Sequence, residues 1–380
     1  MKAIVNGIIL LPDREVRDCA LLYDERIIGI TREARVDEVI DAGGAYVSPG
    51  LIDTHIHGYT GHEATDATRE ALCSIAHGLL QDGVTAFLPT AGANAWPVLQ
   101  KTFEQTRALM GESSSAAFPG AEILGCHSEG PFINPSKKGA MNEKYIQPLD
   151  AGKILPYADV IRVLTFAPEL PGGAEFIRTL KEKTDIALSM GHTNATFEQA
   201  IEAVGLGVTR VTHLFNAMSP LHHREPGVAG AALTADVYTE LIADTFHVDK
   251  GLFPLIIRAK GNHLILITDT GRHIGLPDGE YEEDGTIVIL KGKEARLPDG
   301  TIAGSVLHLN QGVKNLRDWG HLPMYAAVRC ASLNVACSIG MEKRKGSLAA
   351  GKDADIVLMD RDCQILRTIS HGETKYIRGN

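Results

Sequence analysis

Five short segments of this chain each end a β-prone run on a side chain that can bind a metal or move a proton. They are His55 and His57 in IDTHIHG, Glu129 in LGCHSEGPF, His192 in LSMGHTNAT, His213 in VTHLFNAM and Asp269 in LILITDT. Functional side chains at the C-terminal ends of successive strands are how a (β/α)8 barrel assembles an active site on one face. Imidazoles, a carboxylate and a separate aspartate are also the parts of a metal-dependent hydrolase. A divalent ion there needs nitrogen and oxygen donors, and the reaction needs an acid/base.

The rest of the chain supports that architecture. Apolar runs alternate with helix-like segments, which predicts parallel βα units. Eight runs can be counted: AYVSPGLIDTHIH, VTAFLPT, EILGCHSEG, VIRVLTFAPE, DIALSMGHT, VTRVTHLFN, TELIADTFH and HLILITDT. Between them, REALCSIAHGLLQDG and TFEQAIEAVGLG are amphipathic and stop at glycine, as helices do. Short strands in KAIVNGIIL and DCALLYDERIIGI, and again in GSLAAGKDADIVLMD and ILRTISHGETKYI, predict a small β-sandwich built from both chain ends. The expected fold is therefore α/β: a (β/α)8 barrel over residues 49–344, with a discontinuous sandwich of residues 1–48 and 345–380. The 380 residues suffice for both. The stretch from Gly271 to Gly304 reads as hairpins that follow the last barrel strand and drape over the mouth of the site.

Charge and composition narrow the partners. The net charge is −10 with lysine and arginine dispersed, so no basic stripe is available to a nucleic acid. An anionic substrate has to be held by a few local cations, because the overall field repels it. No stretch approaches the roughly 20 apolar residues of a membrane span, and the N-terminus does not read as a signal peptide. Six cysteines without a CxxC pair read mostly as small buried hydrophobes in a reducing cytosol. The expectation is a cytoplasmic protein that takes a small molecule and binds neither nucleic acid nor membrane.

His55 and His57 are two apart, so on a strand both rings face one side. His192 and His213 end runs one βα unit apart and can converge on one ion. Each feature has a plainer alternative. Glutamates near turns are usually solvated, lone histidines usually make structural hydrogen bonds, and Asp269 in TDT could cap a turn or helix.

The motifs together carry a resemblance. PGLIDTHIHG, histidines ending strands 5 and 6, a strand-8 aspartate and a late GSLAAGKDADIVLMD resemble the amidohydrolase superfamily. Within it, HSEGPFINPSKKGA, MGHTNAT, THLFNAMSPLHHREPGVAGAAL, IADTFHVD and LPDGEY are similar to the N-acetylglucosamine-6-phosphate deacetylase family, in order and nearly end to end. The resemblance implies that Glu129, His192 and His213 bind the main divalent ion, and that His55 and His57 serve a second. One or two ions per subunit follow, zinc being the expected metal and Fe2+, Mn2+ or Co2+ the alternatives. Asp269 is implied as general acid/base for a metal-activated water in amide hydrolysis, with His127 a candidate helper for the oxyanion. Ala140, Met141, Asn216, Ala217, Asp244, Ile302, Ala303 and Gly304 are implied substrate contacts. Arg224 and His247 are implied to clamp the sugar phosphate, in a homodimer that shares this site across subunits. A guanidinium suits phosphate oxygens, although HHREPG alone also reads as an exposed basic turn, and His222 and His223 stay ambiguous.

Three departures from the family pattern stand out: Ser128 for an apolar residue, Met141 for a polar one, and Arg272 with His273 after Asp269. The last two sites bear on sugar preference, so the same reaction on N-acetylgalactosamine 6-phosphate is the nearest alternative. A cyclic-amide or dipeptide hydrolase is disfavoured because VIRVLTFAPE offers no bridging lysine, and Glu169 reads as structural. A metal-binding scaffold without catalysis would need a broken ligand set. His62, His77, His263, His321 and His371 read as structural or surface residues.

Overall fold

The computed structural model describes residues 1–33, 35–283 and 286–379. Eight strands form the barrel: β1 (Leu51–Ile56), β2 (Val84–Gly92), β3 (Cys126–Glu129), β4 (Ile161–Phe166), β5 (Ala187–Met190), β6 (Arg210–Val211), β7 (Tyr238–Ile242) and β8 (Leu264–Ile267). Each pairs in parallel with the next. The ring closes through a parallel bridge between Ile56 and Thr270, where Asp269 N donates to His55 O at 2.8 Å. That closure sets the first and last catalytic segments side by side.

The helices wrap the ring as expected. Thr196 caps Phe197–Leu206 in a reciprocal capping box with Gln199, and Gly207 ends it at φ 119°. Among the described residues, no helix is long and apolar enough to cross a membrane.

Both chain ends meet in two sheets. Lys2–Val5, Ala20–Tyr23, Ile27–Thr31 and Glu38–Asp41 make one, while Tyr46–Pro49 pairs antiparallel with Ile356–Met359 in the other. Ile4, Leu21, Tyr23, Val47, Ile356 and Ile369 form the core there. The run AYVSPGLIDTHIH is thus two strands in different sheets rather than one. Gly50 is the break, and a Cβ there would lie 2.0 Å from Thr85 Oγ1. Three of the six cysteines are buried and three only partly so, fewer than the sequence suggested; all six are free thiols.

A buried ion network ties the sandwich to the barrel. Lys345, 1% exposed, lies 2.5 Å from Glu122, 2.9 Å from Asp353 and 2.7 Å from Asp355. His371 joins at 3.0 Å from Glu122, so it is structural, as expected. Burial would raise the Glu122 carboxyl, but His371, Lys345 and Arg344 outweigh it and hold it well below the usual range. Although Glu122, Asp353 and His371 are close enough to hold a metal, the Lys345 ammonium already sits among them. Lys345→Met should cost about 3–5 kcal/mol, the usual loss when one partner of a buried pair is removed. Thermal or urea unfolding measures it, and an unchanged midpoint would deny the network a stabilising role.

Candidate active site

The strand ends place the histidines and carboxylates on one face, and backbone conformation aims them. His192, His213 and Asp269 adopt positive φ of 49°, 28° and 54°. A non-glycine residue held there costs about 1–3 kcal/mol, and such residues cluster where a side chain has to be redirected.

Glu129 is the centre of the arrangement. Its Oε1 lies 3.0 Å from His213 Nε2, 3.1 Å from His192 Nε2 and 3.2 Å from His55 Nε2, and its Oε2 lies 3.1 Å from His57 Nε2. Asp269 Oδ1 is 3.2 Å from His57 and 3.3 Å from His55.

The hydrogen-bonding pattern tests whether these residues suit a metal. His192 Nδ1 contacts Lys137 O at 2.7 Å and His213 Nδ1 contacts Asn216 O at 3.1 Å. A carbonyl oxygen only accepts, so each Nδ1 carries a hydrogen, and the neutral form of each ring would turn an Nε2 lone pair inward. The two Nε2 atoms are 3.1 Å apart and face the same carboxylate oxygen. Two ring nitrogens converging on one carboxylate oxygen, each with its other nitrogen already engaged, fit a divalent cation. His55 Nε2 is likewise buried without a hydrogen-bond partner. Two groups result, Glu129–His192–His213 and His55–His57–Glu129–Asp269, each with donors suited to one ion.

Charge tells the same story. Burial alone would keep His57 neutral, yet hydrogen bonds to Asp269 and Glu129 carry its pKa up to about 10. Burial works against ionising Glu129 and Asp269, but the surrounding histidines, His55 foremost, hold both carboxyls below the usual range. The carboxylates demand positive charge, which protons or metal ions can supply.

The face opens into a cavity of about 790 Å³, within the usual range for small-ligand sites. Ala140, Met141, Asn216, Ala217, His247, Ile302, Ala303 and Gly304 line it with His57, Glu129, His192, His213 and Asp269. The insertion after β8 forms the antiparallel strands Gly279–Glu283, Thr286–Lys291 and Glu294–Arg296. Residues 284 and 285 of that stretch lie outside the described residues. Glu282, Thr286, Val288 and Leu297 from this insertion line the cavity, as hairpins draped over the mouth should. Arg272 and His273 line it too. Arg272 lies 2.8 Å from Asp66 and 3.4 Å from Glu63, tying the loop after β1 to the loop after β8.

Three expected residues sit elsewhere than a simple contact with this chain's own cavity would require. Asp244 is buried and outside the lining; it accepts from His247 Nδ1 at 2.6 Å and from the Phe246 and His247 amides at 2.8 Å, so it orients His247. Arg224 is exposed, 2.7 Å from His223, on a turn outside its own chain's cavity. His127 cannot reach an oxyanion: Nδ1 contacts Thr54 O at 3.0 Å and Nε2 contacts Thr165 Oγ1 at 2.8 Å, one layer below the cavity. Burial and the nearby His55 push it down to about 3, so it is neutral. Asp269, read as acid/base alone, also belongs to the second potential metal group.

Ser128 and Glu169 have local partners. Ser128 turns its hydroxyl to Gly130 O at 2.7 Å. Glu169 is occupied by Asn134, Thr193 and the Asn194 amide, so it serves the loops and bridges no metal.

Sequence reasoning passed over Lys137 and Tyr145 in the cavity wall, and Glu240 and Arg210 beneath the metal face. Glu240 Oε2 lies 2.9 Å from His55 Nδ1. The available signal was a glutamate and an arginine inside otherwise apolar runs, TELIAD and VTRVTH, where barrel interiors favour aliphatic residues.

Known proteins resemble this chain in sequence and fold. Residues 46–375 match the Amidohydrolase family. An N-acetylglucosamine-6-phosphate deacetylase of Bacillus subtilis is 39% identical over 91% of this chain and 88% of its own. The crystal structure of that enzyme from Pasteurella multocida matches with a TM-score of 0.93 at 29% identity, covering 98% of this chain and 99% of the other. An aspartate-to-alanine mutant of the Mycobacterium smegmatis enzyme, in complex with N-acetyl-D-glucosamine-6-phosphate, matches with a TM-score of 0.89 at 28% identity, covering 98% and 99%. The chain belongs to the amidohydrolase family of metal-dependent hydrolases and, within it, to the N-acetylglucosamine-6-phosphate deacetylases.

Proposed function

We propose that this chain hydrolyses the acetamide of N-acetylglucosamine 6-phosphate to glucosamine 6-phosphate and acetate. The observation that carries the reading is Asp269 Oδ1 beside the histidines of a metal-suited group, at the wall of a cavity sized for a sugar phosphate. The relatives named for this reaction support it.

Glu129, His192 and His213 would hold the principal ion, and His55, His57 and Asp269 with Glu129 a second. A divalent ion bound there supplies Lewis acidity to the amide carbonyl and to water. Asp269 takes a proton from the attacking water as the carbon–oxygen bond forms. As the carbon–nitrogen bond breaks, the same carboxyl returns that proton to the departing amine. Zinc suits a site of four histidines and two carboxylates, and the six free thiols suit a reducing cytosol.

His247, fixed by Asp244, and Lys137 are the hydrogen-bond donors placed to meet a phosphate in the cavity wall. Arg224, outside its own chain's cavity, would meet the phosphate of a second copy in a homodimer that shares the phosphate site. His247→Ala should raise KM for the phosphorylated sugar about tenfold to a hundredfold, the weight of one hydrogen bond to a charged group, with kcat within a few-fold. Steady-state kinetics on the sugar with and without its phosphate is the check. An unchanged KM would take His247 out of the phosphate site.

A further inference from the structure

Glu240 in β7 and Arg210 in β6 are wholly out of water, and the hydrolysis above uses neither. Aliphatic side chains fill most barrel interiors, and a buried ion pair is often no more stable than apolar residues of similar volume. The pair needs another reason, and its contacts point to the metal face. Glu240 Oε2 lies 2.9 Å from His55 Nδ1 and accepts from the His213 amide at 3.2 Å. Glu240 Oε1 accepts from Arg210 at 2.7 Å. Arg210 also donates to Thr54 Oγ1 at 3.0 Å and to Ser338 Oγ.

The consequence falls on one imidazole. A carboxylate facing Nδ1 fixes the hydrogen on that nitrogen and leaves the Nε2 lone pair free. In His55 that lone pair faces Glu129 Oε1 at 3.2 Å and Asp269 Oδ1 at 3.3 Å. His192 and His213 are oriented instead by the carbonyls of Lys137 and Asn216. Glu240 touches the Glu129–His192–His213 group only through the His213 backbone.

We infer that Glu240, held in place by its hydrogen bond from Arg210, is the positioning residue that makes His55 a ligand. It thereby decides whether the His55–His57–Asp269 side of the site holds an ion beside the one at Glu129, His192 and His213. The inference rests on the metal-site reading proposed above.

The test counts ions rather than turnover. Full-length protein is equilibrated with zinc buffered at a series of free concentrations, and bound metal per chain is measured by mass spectrometry. Wild type is compared with Glu240→Gln, with the double variant Glu240→Gln/Arg210→Met, and with His55→Ala. The double variant removes both charges while keeping the volume, so an orphaned arginine cannot explain its behaviour. Wild type should fill two sites. Both Glu240 variants should fill one normally and bind the other about 10- to 100-fold more weakly, the usual cost of losing a carboxylate behind a ligating histidine. His55→Ala should lose the same site. Two normally filled sites in both Glu240 variants would overturn the inference alone. Equal weakening of both sites would make Glu240 a merely structural residue and overturn it too. A wild type that fills one site at every concentration would overturn the two-ion reading and the inference together.

Discussion

Asp269→Asn should lower kcat by about 100- to 10,000-fold, the range for losing a positioned general acid/base, while the Glu129–His192–His213 group keeps its ion. The amide has the same shape and accepts a hydrogen bond, but it cannot take a proton from water and return it to an amine. Asparagine also tolerates the left-handed backbone at φ 54°, so strain does not confound the comparison. The group that binds the principal ion does not include Asp269, which separates loss of the proton shuttle from loss of metal. Kinetics and metal content on the same preparation make the check. Near-normal turnover would remove Asp269 as the acid/base.

Glu129→Gln should empty both metal groups, because one carboxylate closes both. Its Oε1 faces His192, His213 and His55, and its Oε2 faces His57. Turnover should fall on the order of 1,000- to 10,000-fold, since a Lewis acid contributes several kcal/mol at about 1.4 kcal/mol per tenfold. His192→Ala, by contrast, should remove only the ion that His192 and His213 share. If Glu129→Gln keeps one ion, the carboxylate does not bridge the two groups.

Much of the site could be read from the chain because its pieces are local. HxH spacing, a glutamate before a strand-breaking GP, and histidines at the ends of neighbouring strands survive as sequence patterns. The barrel only brings them together. Depth is not local. His127 and Glu129 share a face by alternation, yet a two-residue step along a strand is about 6.6 Å, which sets His127 a layer below the cavity. Glu240 and Arg210 lie 30 positions apart and become a pair only when β6 and β7 meet. Asp244 carries the right charge for a substrate contact, but the short turn after β7 bends His247 back onto it. Arg224 lies on an exposed turn, and a single chain shows no role for it. The AYVSPGLIDTHIH run hid a sheet boundary, since Gly50 changes neither its hydropathy nor its β-propensity.

The most direct test is acetate release from N-acetylglucosamine and N-acetylgalactosamine, each with and without the 6-phosphate, before and after chelation. The account predicts chelator-sensitive turnover, restored by zinc, with N-acetylglucosamine 6-phosphate the best of the four substrates. A preference for the galacto sugar would keep the chemistry and move specificity to Met141, Arg272 and His273 in the cavity wall. Turnover of none of the four, or turnover indifferent to chelation, would contradict it.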